Sequence, residues 1–188
     1  MATLDRFAME KLGFAALGKN VLISDRASFY NCSNISLGNN VRIDDFCVLA
    51  AGVGGITIGS YVHIAVTSTL IGSGRITMAD FSGLSSRVSI YSSSDDYSGT
   101  TMTNPMIPSK YTGVLHADVY LGRHVIVGCG SVILPGVTLE DGVAVGALSL
   151  VNKDCKAFGI YSGNPARRIN DRKRDLLELE KLFRADED

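Results

Sequence analysis

Residues 121–151 read LGRHVIVGCGSVILPGVTLEDGVAVGALSLV, and in them a large aliphatic side chain returns every six positions: Leu121, Val127, Ile133, Leu139, Val145 and Val151. Two residues before each stands a second small or branched residue, Val119, Val125, Ser131, Val137, Val143 and Ser149. Alternate residues of an extended strand point to opposite faces, so both members of each pair face inward and the residue between them faces out. Sandwich strands recur at roughly 8–12 residues and hold no six-residue phase. Stacked coils need that phase, because each coil buries its interior only against its neighbours.

The same phase runs upstream in groups of three: Leu17, Ile23, Phe29; Leu37, Ile43, Leu49; Ile58, Ile64, Leu70; Met78, Leu84, Ile90. Between groups the spacing lengthens, which makes a unit of about 20 residues with three short strands, a triangular coil. Glycine and the polar pairs Asn39-Asn40 and Asp44-Asp45 suit its corners, where the backbone takes unusual angles.

Composition agrees with one soluble domain. The chain has 188 residues, 46% hydrophobic and 20% charged, with a net charge of -1, so no global field draws it to nucleic acid or an anionic membrane. Glycine, at 20 residues, is in excess. Cys32, Cys47, Cys129 and Cys155 form no Cys-x-x-Cys pair, and charges interrupt Met1–Phe14, leaving no signal-peptide core. The expectation is a cytoplasmic protein with reduced thiols, no nucleic acid partner and no membrane insertion.

Leu-Gly-Arg-His-Val-Ile-Val-Gly from Leu121, Ile-Leu-Pro-Gly-Val-Thr-Leu from Ile133 and Ser-Gly-Asn-Pro-Ala-Arg from Ser162 resemble the hexapeptide-repeat acyltransferases. Within them the chain is most similar to the maltose and galactoside O-acetyltransferase branch and to the acetyltransferases of surface polysaccharides. The resemblance implies an all-β fold, a left-handed parallel β-helix with an extruded loop and a C-terminal α-helix. It also implies a homotrimer with active sites between subunits. The boundaries expected are an N-terminal cap over 1–16, the β-helix over 17–170 with its loop at 92–118, and an amphipathic helix within 171–188 that caps the last coil.

The loop breaks the phase and carries Tyr97, Met102, Met106, Ile107, Tyr111 and Val114, apolar groups suited to docking on a neighbour. In the family this loop walls the acceptor site on the adjacent subunit, which makes Ser94, Asp96 and Tyr97 candidates for acceptor contact. The family usually places its catalytic histidine at the loop's start, where this chain has Asp95. Acyl transfer needs a base near neutral pH, a role histidine suits better than an unperturbed aspartate. Three histidines remain. His63, outward between Val62 and Ile64, is the expected general base, oriented by Asp95 or Asp96. His116, where the loop closes, is the second candidate, and His124 at a corner is expected at the surface or between subunits.

Acetyl-CoA is the donor implied by the resemblance. The positions that line the donor groove in the branch fall on Cys129, Ala147, Asn152, Lys153, Pro165 and Arg167, with the two basic residues near the phosphates. Small residues at Gly128, Gly130 and Gly146 would let the pantetheine arm lie close to the coil. No metal is expected. A zinc lyase of the γ-carbonic-anhydrase type needs closely paired histidines, which this chain lacks. The expected activity is O-acetylation of a small-molecule sugar or glycan hydroxyl, by direct transfer in a ternary complex with a histidine base. Two alternatives stand beside it: N-acetylation of a nucleotide-linked amino sugar, and an inactive β-helix scaffold.

Overall fold

In the computed structural model, which describes residues 2–187, parallel strands of two to four residues stack into three flat faces. The first face runs from Ala16–Leu17 through Ile35–Leu37, Ile56–Ile58, Ile76–Met78 and Val119–Leu121 to Thr138–Leu139. The second starts at Leu22–Ile23 and passes through Arg42–Ile43, His63–Ile64, Gly83–Leu84, Ile126–Val127 and Ala144–Val145 to Gly159–Ser162. The third starts at Ser28–Tyr30 and ends at Leu150–Val151.

Register explains why so short a strand is stable. On the second face Ile23, Ile43, Ile64, Leu84, Val127 and Val145 sit directly over one another. All six are at most 4% exposed. The other two faces build the same kind of column, from Leu37 to Leu139 and from Leu49 to Val151. Every aliphatic residue of the six-residue phase from Leu37 to Val151 is therefore core. The three columns merge into one continuous hydrophobic interior, whose burial removes each side chain from water at about 1.5–3 kcal/mol.

The corners differ from expectation in residue type. The chain turns with one residue in the left-handed region per corner, and several are bulky: Phe46, Tyr61, Phe81, Arg87, His124 and Leu148 all lie between φ 57° and 61°. Such residues pay roughly 1–2 kcal/mol there. The compensation is a backbone hydrogen bond to the coil below at nearly every such corner, as from Tyr61 N–H to Asn39 O and Phe81 N–H to Ser60 O, both at 2.9 Å.

The long insertion leaves the stack undisturbed. It departs after Tyr91 on the third face, and the chain resumes at Val119 in register with Ile76. At its root Ser93–Ser94 pairs antiparallel with Leu115–His116.

A helix over Arg6–Lys11, capped by the Asp5 carboxylate on Ala8 N–H at 2.7 Å, buries Met9 at the first coil. At the other end the helix is Leu176–Glu187, shorter than the stretch expected from residue 171. Arg167–Asp171 instead pairs antiparallel with Gly159–Ser162 as the last strand of the second face. Strand pairing across the Gly-Asn-Pro-Ala turn outcompetes helix there. No helix among the described residues is long and apolar enough to cross a membrane.

Candidate active site

A cavity of about 610 Å³ opens on the second face. Its floor is the outward-facing residues of three successive coils, His63, Gly83 and Ile126, held in register. One wall is the corner where Tyr61, Phe81 and His124 stack their rings at centroid distances of 4.9 and 5.0 Å, within 11° of parallel. The opposite wall is Ser85 and Ser86, and Arg172 and Leu176 close one side. Cavity walls from several coils follow directly from the repeat, because equivalent positions recur about 20 residues apart.

His63 faces outward as its phase requires, and its Nε2 lies 2.8 Å from Asp44 Oδ2. The other Asp44 oxygen accepts from Arg42 Nε at 2.7 Å. Partial burial pushes the Asp44 carboxyl up, but the hydrogen bonds from Arg42 and His63 outweigh it and hold the group below the usual carboxylate range. An ionised carboxylate only accepts, so Nε2 carries a proton toward Asp44, and Nδ1 is the ring nitrogen left for other contacts. Within one chain the aspartate that holds His63 is Asp44, one coil away, rather than the expected Asp95 or Asp96.

Those two sit on the loop, which leaves from the corner between the third and first faces, so within one chain the structure does not bring them to His63. Asp96 accepts from Ser98 N–H, Thr101 N–H and Thr101 Oγ at 2.8–3.0 Å. The Ser98 and Thr101 contacts hold it down at about 2. These bonds tie the loop together. Asp95 and Tyr97 are exposed, Tyr97 at 92%. Ser94 is half-buried in the root strand, and His116 Nδ1 lies 2.8 Å from Ser93 Oγ across that ribbon.

His124, expected at the surface or between subunits, is mostly buried within its own chain. Its side chain is 13% exposed, stacked on Phe81 on one side and 2.5 Å from Glu180 Oε2 on the other. Burial raises Glu180, but hydrogen bonds from His124 and Arg184, with Arg123 alongside, hold it lowered. Phe183 meets the Tyr61 ring edge-on, so the C-terminal helix packs on this wall of the cavity rather than over the end of the coil.

Of the donor candidates, Cys129 and Ala147 lie at the corner between the second and third faces, and Asn152 and Lys153 follow the third-face strand Leu150–Val151. Lys153 and Arg167 line a second cavity of about 280 Å³ together with Arg168, and Asn152 directly precedes it. Pro165 stands in the turn of the final hairpin, after a cis peptide bond. Ala147, Cys129 and Ser86 descend one corner, coil by coil, joined by Leu148 N–H to Cys129 O and Gly130 N–H to Ser86 O at 2.9 and 3.0 Å. Its lower end, Ser86, belongs to the serine wall of the first cavity. At two glycines along it the coil itself supplies a reason: a Cβ at Gly128 would lie 2.5 Å from Ala147 N, and Gly130 has φ +70°.

Burial pushes the thiols of Cys47 and Cys155 up to about 11, which leaves neither as a thiolate nucleophile near neutral pH. Among the described residues no three of His, Cys, Asp and Glu converge as metal ligands. Sequence reasoning missed Asp44, Gly83, Ser85 and the helix-covered ring stack. The signal for Asp44 was present: residues 19–21 apart face each other across coils, and Asp44 precedes His63 by that interval.

No family model matches the chain. It is 55% identical to a dTDP-4-amino-4,6-dideoxy-D-glucose acyltransferase of Escherichia coli, over 98% of this chain and 96% of that protein. It superposes with a TM-score of 0.93 on AntD, an N-acyltransferase from Bacillus cereus solved with dTDP and 3-hydroxybutyryl-CoA, at 46% identity over 98% and 97% of the two chains. AntD was also solved as variants of one aspartate and of one serine, the latter with dTDP-4-amino-4,6-dideoxyglucose and coenzyme A. A maltose O-acetyltransferase from Clostridium difficile 630 superposes with a TM-score of 0.61 over 90% of this chain and 75% of that one, at 22% identity, a likeness of fold alone.

Proposed function

Because the chain belongs to the hexapeptide-repeat β-helix acyltransferases and takes its acyl group from a coenzyme A thioester, we propose that it acylates the amino group of a dTDP-linked 4-amino-4,6-dideoxyhexose. One observation carries this reading: the Bacillus cereus N-acyltransferase, similar over nearly the whole chain, binds dTDP-4-amino-4,6-dideoxyglucose and coenzyme A together. The alternative of a nitrogen acceptor thereby takes precedence over the sugar hydroxyl expected from the maltose-like branch. The acetyl group is the expected acyl group.

In this reading the donor runs from Lys153 and Arg167 at the end of the coil past Ala147 and Cys129, with its thioester at Ser85 and Ser86. Lys153 and Arg167 face the phosphates, with Asn152 and Pro165 at the nucleotide end. The amino sugar occupies the cavity floored by His63 and Gly83. The nitrogen lone pair attacks the thioester carbonyl carbon, and the tetrahedral intermediate collapses with cleavage of the C–S bond. Coenzyme A leaves as the thiolate and is protonated. His63 Nδ1 takes the proton lost by nitrogen, and ionised Asp44 stabilises the imidazolium that forms. A neutral amine is a better nucleophile than a hydroxyl, so this chemistry demands less of its base than O-acetylation does.

The site is completed in a homotrimer. Asp95, Tyr97 and the half-buried Ser94 leave their own chain's cavity and reach that of a neighbour. This favours a second assignment of the base, in which Asp95 of the neighbouring copy receives the proton and Ser85 positions the acceptor nitrogen. The observation behind it is that AntD was studied as variants of an aspartate and of a serine. His116, engaged with Ser93, holds the loop root in both versions.

Incubation of purified protein with acetyl-CoA and dTDP-4-amino-4,6-dideoxyglucose, read by mass spectrometry, is expected to give the N-acetylated nucleotide sugar. Product with maltose or galactosides and none with the amino sugar would overturn the proposal. His63→Ala set against Asp95→Asn separates the two bases: the true one lowers kcat by about 10²–10⁴ and abolishes the acid limb of its pH profile.

A further inference from the structure

Gly83 is unlike the chain's other glycines. Each of the others has a positive φ, or would bring a Cβ within 3.0 Å of a neighbouring atom. Gly83 has neither: its φ is ordinary, and a Cβ built there meets only His63 O, at 3.7 Å, which is normal contact. The fold would accept alanine at this position. Glycine weakens a strand interior, and where nothing in the fold requires it, it marks a place where a ligand or another backbone comes close.

The location gives that rule its content. Ser82 and Leu84 are both 2% exposed and point inward, so position 83 points out, into the cavity of about 610 Å³. On the second face the outward column reads Arg42, His63, Gly83, Ile126, and the missing side chain makes a notch between the imidazole and a half-exposed isoleucine. Serine hydroxyls flank the notch on one side and the Phe81 ring on the other.

Resting on the proposed function, we infer that Gly83 sets acceptor specificity: its bare backbone lets the amino-sugar ring lie against the strand, with the nitrogen beside His63 and the deoxy carbon against Ile126. The chemistry of the notch suits that occupant. It offers a base and hydroxyls at one end, and at the other an aliphatic surface that a 6-deoxy methyl group fits and a hydroxymethyl group does not. The donor line reaches the cavity at Ser86, at its edge, so a side chain grown at position 83 meets the acceptor first.

The test uses the full chain carrying Gly83→Ala or Gly83→Leu. Thermal midpoints are expected to be no lower than that of the wild type. The KM for dTDP-4-amino-4,6-dideoxyglucose is expected to rise about tenfold or more in Gly83→Leu and less in Gly83→Ala, with coenzyme A affinity by calorimetry and the sedimentation coefficient unchanged. Unchanged acceptor KM in both variants overturns the inference alone, as does a shift confined to acyl-CoA, which would make the notch an acyl pocket. Loss of assembly in Gly83→Leu also overturns it, since the notch would then belong to a contact between copies. Wild-type protein that fails to acylate the amino sugar overturns the proposed function, and this inference with it.

Discussion

Two corners of the same coil turn with the same backbone and carry opposite side chains. Tyr61, Phe81 and His124 bend one corner at φ 58–60°, and Thr67, Arg87 and Leu148 bend the next at φ 57–61°. The first is paved with stacked rings and covered by the C-terminal helix. The second lies open, with Leu148 71% exposed and a line of small residues beside it. Backbone geometry therefore fixes only the left-handed angle, and the side chain records what lies outside: a helix at one corner, the proposed donor at the other.

The comparison breaks if corner side chains rather than the interior columns carry the stability. Leu84→Ala, in the second-face column, is expected to lose about 2–5 kcal/mol in urea unfolding, more than any corner variant. Phe81→Ala removes two ring stacks and the contact with Phe183, and about 2–3 kcal/mol is expected for this partly exposed ring. Arg167→Ala, near the open corner, should instead leave unfolding unchanged and weaken coenzyme A roughly tenfold by calorimetry, the loss of a charge-assisted phosphate contact. Equal destabilisation by all three would mean that the corners are not divided in this way.

A pH dependence sharpens the covered corner. Glu180 is held below its ordinary 4.5 by His124 and Arg184 against the opposing effect of burial. A lowered carboxylate contributes stability above its unfolded value and loses it as pH falls through the folded one. Helix docking should therefore weaken below about pH 4.5, and Glu180→Gln should flatten that limb while costing about 1 kcal/mol near neutrality. Circular dichroism against pH measures both. The smallest effect is expected from Arg87→Ala at the open corner, within about 0.5 kcal/mol of wild type.

The interior was legible in the sequence because a six-residue phase can be counted, and every phased residue from Leu37 to Val151 is buried. His63 was placed on an outward face by the same count. What escaped depends on contacts the count does not rank. Asp44 reaches His63 across one coil, and Asp45, equally close in sequence, bonds Ser24 instead. The ring stack escaped because bulky residues disfavour left-handed angles, and the backbone hydrogen bonds to the coil below that offset the cost cannot be read from residue type. The helix start was misplaced because Asp171 ends a strand, Arg167–Asp171, that pairs with Gly159–Ser162, and the helix begins only at Leu176. The acceptor was the least legible of all, since nitrogen and oxygen nucleophiles call for the same base.

The loop's two ends are tied where they meet by Ala117 N–H to Ser92 O at 3.0 Å, and the coil resumes with Val119 N–H bonded to Arg75 O at 2.8 Å. The coil above and below thus closes over the insertion as though it were not there. Mutation can lengthen, shorten or exchange that segment without passing through an unfolded intermediate sequence. Such changes leave the register of the coil, and with it the outward column of Arg42, His63, Gly83 and Ile126, as it stands.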